Sequence, residues 1–159
     1  MRAPTRFVRG SLVVALCAMA ASVLAQAPEG LAGTWKMNPA KSKFSPGPAP
    51  KSMTITYTPM GESMKIEVHQ VPADGTAQHW EMTGAADGKE YPVTGNPEAE
   101  TISLKRVDAT TGESTFKKAG KVMAVNKRTM SADGKTLTIA TTGVNGKGEK
   151  RNDVVVFEK

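Results

Sequence analysis

Apolar and polar positions alternate in short runs along most of this chain. Met53, Ile55 and Tyr57 alternate with Thr54, Thr56 and Thr58. Met64, Ile66 and Val68 alternate with Lys65, Glu67 and His69, and Leu137 and Ile139 with Thr136, Thr138 and Ala140. A period of two sends one set of side chains to a buried face and the other to solvent, which is the mark of a half-buried strand. Turn signals separate the runs, among them Pro72-Ala73-Asp74-Gly75, Ala86-Asp87-Gly88, Asp133-Gly134 and Asn145-Gly146. Asp-Gly and Asn-Gly supply the positive φ that tight hairpin turns require.

About ten strands are predicted, at spacings of roughly 9–14 residues. Such a series reads as an all-β, antiparallel up-and-down meander, either a sandwich or a barrel. Closure removes exposed strand edges, so the expectation is a barrel of about 8–10 strands. The first strand is expected near Leu31 to Asn38 and the second near Lys51 to Thr58. Between them, Pro39 to Pro50 holds four prolines and two lysines. This stretch reads as a crossing loop, with one helical turn near Ala40 to Phe44.

The N-terminus follows a different pattern. Arg2, Arg6 and Arg9 precede an uncharged apolar run from Ser11 to Leu24, and Val23-Leu24-Ala25 offers small residues where a signal peptidase reads. Residues 1–25 are expected to be a signal peptide, and 26–159 a single domain, exported to the periplasm or the extracellular medium. The apolar run is short for a membrane span, which needs about 20 residues. Integral membrane association is therefore not expected. Cys17 is the only cysteine, and Leu16 stands before it where lipidation wants a small residue.

Cleavage changes the charge. It removes three of the 21 basic residues and no acid, leaving 18 against 15 and a net charge of +3 rather than +6. Half the positive charge thus belongs to the leader, and a nucleic-acid partner is not expected. The mature chain has no cysteine, hence no disulfide. Charge is also uneven. Residues 26–100 carry 6 basic and 9 acidic groups, and residues 101–159 carry 12 and 6. One side of a meander barrel should therefore be basic, either as a solvated face or as an attractor of anions.

Gly33-Thr34-Trp35 lies in the expected first strand. This resembles the opening strand of the calycins, the superfamily of lipocalins, fatty-acid-binding proteins and avidins. The longer run Gly33 to Phe44 looks like small exported bacterial lipocalin-like proteins. The resemblance implies that Trp35 closes one end of the barrel, a packing role.

The chain carries no phosphate loop, metal-ligand cysteine pair or nucleophile motif. An enzyme is not expected, and no cofactor is assigned. Arg106 follows Ile102 and Leu104 on an apolar face, and Arg128 follows Val122, Ala124 and Asn126 in the same way. A guanidinium on a buried face needs a partner. Arg106 and Arg128 are the expected ligand-binding residues, since a ligand carboxylate fits their forked donors. Resemblance to fatty-acid-binding proteins implies the same use of late-strand arginines, although Phe157 stands where a tyrosine would complete that arrangement. The competing reading pairs each arginine with protein acids or sets it at a barrel mouth. Seven methionines after residue 25 suit irregular core space or a tolerant pocket.

The expected function is binding of a small apolar or amphipathic ligand by a monomer, with an anionic, fatty-acid-like molecule among the candidates. The alternatives are a protein-protein module, such as an inhibitor of an exported protease acting through Pro39 to Pro50, or a structural module without a ligand.

One register follows from the pattern. The apolar sets on either side of Pro72 to Gly75 must share a face, which puts Val68 beside Trp80 and Ile66 beside Met82. His69 then opposes His79, and Glu67 opposes Glu81, on the opposite face, which is expected to be the outer one. Two imidazoles and two carboxylates there suit Zn²⁺ or Cu²⁺. A solvated face with ordinary charge pairing is the expected reading, and no metal site is assigned from sequence.

Overall fold

The structure is a computed structural model that describes residues 30–159. The expected signal peptide and its cleavage site lie outside the described residues. Ten strands follow one another: β1 (Gly33–Met37), β2 (Ser52–Met60), β3 (Ser63–Val71), β4 (Gln78–Ala85) and β5 (Asp87–Thr94), then β6 (Thr101–Arg106), β7 (Thr111–Lys118), β8 (Lys121–Met130), β9 (Thr136–Val144) and β10 (Lys150–Glu158). Each pairs antiparallel with its neighbour in sequence, and β1 pairs with β10 to close the barrel. The expected all-β meander barrel is therefore the observed fold. A single 3-10 turn, Pro39–Lys41, is the helical element among the described residues. No helix among them is long and apolar enough to cross a membrane.

The alternation decides which side chains go inward. Ile55, Tyr57, Met64, Val68, Leu137 and Ile139 are all buried in one core cluster, while the threonines and charged residues between them face out or sit half-buried. Trp35 is fully buried in that cluster with Leu31 and Phe157. Its indole Nε1 donates to the Leu31 carbonyl at 2.8 Å. That bond satisfies a donor which would otherwise be stranded in the core. Lys159 sets its ammonium 4.7 Å from the Trp35 ring centroid.

β1 is shorter than the sequence pattern implies, because its five residues serve two partners. Gly33 to Lys36 pair with Tyr57 to Thr54 of β2, while Lys36 and Met37 pair with Glu158 and Phe157 of β10. The chain beyond β1 then continues along β10. Lys43 and Val154 exchange backbone hydrogen bonds of 2.7 and 2.8 Å, and the Asn152 N–H donates to the Ser45 carbonyl at 2.7 Å. The first part of the expected loop thus completes the barrel seam. Buried Asp153 fixes the point of departure, accepting from the Ser45 N–H at 2.9 Å and from Arg151 Nε.

The alternation breaks on β8, beside the larger chamber. Phe116 pairs with Ala124 but Lys117 pairs with Val122, so Met123 is an extra residue in a β-bulge. Val122, expected inward with Ala124 and Asn126, is 53 % exposed instead. Met123 takes its place in the lumen. The bulge needs a partner without a side chain: a Cβ on Gly143, which pairs with Ala124, collides with the Met123 carbonyl.

Candidate functional site in the barrel lumen

The inward faces enclose a lumen of two adjoining chambers. The larger, about 510 Å³, lies at the end where β2 begins and β9 finishes. Phe44, Pro46, Pro48 and Pro50 of the crossing segment form part of its wall. The smaller, about 110 Å³, lies toward the other end, where β3 begins and β6 finishes. Ile55, Val68, Trp80, Phe116, Asn126 and Ile139 border both. Trp80 and Phe116 meet edge to face, with centroids 6.0 Å apart. The larger chamber falls within the size range of small-molecule pockets, about 300–1,000 Å³.

Both arginines singled out from sequence line the smaller chamber. They come by strand parity: Arg106 takes the last inward position of β6, and Arg128 the one before buried Met130 at the end of β8. Their settings differ. Arg106 Nε donates to the Asp108 carbonyl at 3.1 Å, in the turn that follows β6. Arg128 has its guanidinium carbon 5.7 Å from the Tyr57 ring centroid, a cation–π geometry. Its Nε is buried and has no hydrogen-bond partner among the described residues.

Asn126, two residues earlier on β8 and on the same face, has its Oδ1 buried and equally unpartnered. One donor and one acceptor, from two residues that line the same chamber, thus stand unsatisfied among the described residues. Leaving such groups unpaired costs about 1–3 kcal/mol each, and in native proteins an orphan of this kind is usually met by water, an ion or a ligand. Tyr57 completes the polar group. Burial pushes its phenol above the ordinary tyrosine value, the positive charge of Arg128 works against that, and the ring remains neutral at neutral pH.

Two features escaped the sequence pattern. Asn126 was read only as part of the face leading to Arg128, because a polar residue between apolar ones carries no label of its own. Gly112 pairs directly with Arg128 across β7 and β8. A Cβ on Gly112 would come within 2.6 Å of Arg128 Nη2, so the absent side chain makes room for the guanidinium. A glycine at an inward strand position was the available signal.

The outer face carries the other polar group. Val68 pairs with Trp80, Ile66 with Met82, His69 with His79 and Glu67 with Glu81, which is the register deduced from sequence. The His69 and His79 rings stack with centroids 4.3 Å apart. Lys65 bridges both glutamates, at 3.1 Å to Glu67 and 3.0 Å to Glu81. Its hydrogen bond holds the Glu81 carboxyl below the ordinary carboxylate range, and the same contact raises Lys65.

Fold and site together define a closed ten-strand antiparallel barrel with a chambered lumen: the smaller chamber is mainly apolar around the Arg106, Asn126 and Arg128 group, and the larger mixes apolar wall with polar and charged residues such as Glu98, Arg151 and Asp153. No family model matches the chain, and no curated protein matches it.

Proposed function

We propose that this protein binds a small amphipathic ligand inside the barrel. The apolar body lies across the two chambers, and a polar group meets Arg128 and Asn126. The observation that carries this reading is the pair of buried orphans, Arg128 Nε and Asn126 Oδ1, facing one lumen. A ligand carboxylate supplies the acceptor that Arg128 Nε lacks, a hydroxyl or N–H elsewhere on the ligand, or a trapped water, supplies the donor that Asn126 Oδ1 lacks, and Arg106 adds positive charge at the rim of the same chamber. Gly33-Thr34-Trp35 and the ten-strand closure support a lipocalin-like assignment within the calycins. The leader pattern supports an exported protein that works in the periplasm or outside the cell.

The crossing segment supports the carrier reading over the inhibitor reading. Lys43 and Ser45 are bonded to β10, and the prolines that follow wall the larger chamber. An inhibitory loop is better served by a segment that projects.

The test is titration of the delipidated mature protein with a fluorescent fatty-acid analogue. The expected result is saturable binding with a change in tryptophan emission, because Trp80 borders both chambers. An absence of binding to this and to a panel of neutral amphiphiles would overturn the carrier reading.

A further inference from the structure

The geometry points to a divalent transition-metal site, of the Zn²⁺ or Cu²⁺ class, on the outer face of the β3–β4 ladder, built from Glu67, His79 and Glu81 with His69 beside them. It is independent of the lumen: these side chains are on the opposite face from Val68, Trp80 and Met82.

One ligand atom from each of Glu67, His79 and Glu81 lies within 4.8 Å of the other two. Around a tetrahedral zinc with bonds of about 2.1 Å, ligand atoms sit about 3.4 Å apart. The contraction required is of the order of an ångström and falls to side-chain torsions, since the paired backbone holds the Cβ positions. His69 contributes a second imidazole. Its ring already lies 4.3 Å from that of His79, so a modest rotation brings a nitrogen toward the same point.

This cluster differs from a run of surface acids in two ways. It contains imidazoles, which select zinc and copper over calcium and magnesium. It also already holds a cation. Glu67 and Glu81 are directly opposed in the ladder, where like charges repel. The Lys65 ammonium sits between their oxygens, at 3.1 and 3.0 Å. Lys65 is a tethered monovalent occupant of a position that two carboxylates and an imidazole offer to a divalent ion. The remaining outward neighbours, Thr54 and Thr56 on β2, Thr83 on β4 and Thr94 on β5, are uncharged and leave the approach open. Metal entry breaks the two lysine contacts and releases the half-buried Lys65 ammonium to water, a displacement that ion pairs near the surface oppose only weakly.

Calorimetric titration of tag-free, chelator-treated mature protein with Zn²⁺ tests the site. The expected result is one ion per chain. His79→Ala should lose affinity by roughly tenfold or more, as ligand-shell losses do, and the near-isosteric Glu81→Gln should also weaken binding. Lys65→Met should bind several-fold tighter, because the tethered competitor is gone. Circular dichroism of each variant guards against misfolding. No saturable heat in the wild type, equal heat in His79→Ala, or weaker binding by a folded Lys65→Met would each overturn the site.

Discussion

Arg128 lies against Gly112, its cross-strand partner, so closely that a Cβ on that glycine would approach Nη2 to 2.6 Å. The position of the guanidinium in the small chamber therefore depends on an absent side chain. Gly112→Ala should push the flexible end of Arg128 aside without breaking the sheet, because the residue met is a side-chain tip. The expected outcome is weakened binding of a fluorescent fatty-acid analogue with a melting temperature close to wild type. Unchanged affinity would detach Gly112 from the site.

Arg128→Met should separate function from stability. It removes a buried donor that lacks a partner, and relief of such a group is worth about 1–3 kcal/mol before packing changes are counted. Urea unfolding is expected to show a variant at least as stable as wild type, with ligand affinity down by roughly 10- to 150-fold, since a charge-assisted hydrogen bond contributes about 1.5–3 kcal/mol. Arg106→Met should lose less affinity, because Arg106 Nε is already engaged by the Asp108 carbonyl. The double variant should abolish binding.

Trp35→Phe tests the packing role of the first strand. The substitution deletes the Nε1 bond to the Leu31 carbonyl and leaves space in a fully buried site. A loss of about 2–4 kcal/mol in denaturant unfolding is expected, combining an unmet buried group with a cavity. A loss below about 0.5 kcal/mol would contradict that role.

The barrel seam should weaken in acid. Hydrogen bonds from Lys41 and Asn38 hold Glu158 below its ordinary value of 4.5. A carboxyl with a folded pKa below its unfolded one stabilises the fold above the unfolded value, and this contribution is lost as pH falls through the folded value. Ion pairing from Lys117 lowers Glu90 across the barrel in the same sense. Stability is therefore expected to be flat near neutrality and to fall below about pH 4.5. Glu158→Gln should show a shallower acid slope in thermal melts between pH 3 and 6; a slope identical to wild type would remove Glu158 from the account.

Much of this protein was legible in its local pattern. Period-two alternation and Asp-Gly or Asn-Gly turns determined the strands, the meander order and the inward faces, because strand parity and turn chemistry act within a few residues. The same parity determined the β3–β4 register, and with it the outer group of Glu67, His69, His79 and Glu81. It also aimed Arg106 and Arg128 inward. What only tertiary structure decided depends on chain segments far apart in sequence. The bulge at Met123 turned Val122 to solvent, and it exists because Gly143 on the neighbouring strand has no Cβ to oppose it. β1 divides between β2 and β10, and Lys43 and Ser45 extend the seam, because closure must satisfy backbone groups at both edges at once. The pairing of Arg128 with Gly112, and the loneliness of Arg128 Nε beside Asn126 Oδ1, came from packing across the lumen. No local pattern records which inward polar atoms will find partners, since that is settled by the side chains that arrive from the other side of the barrel.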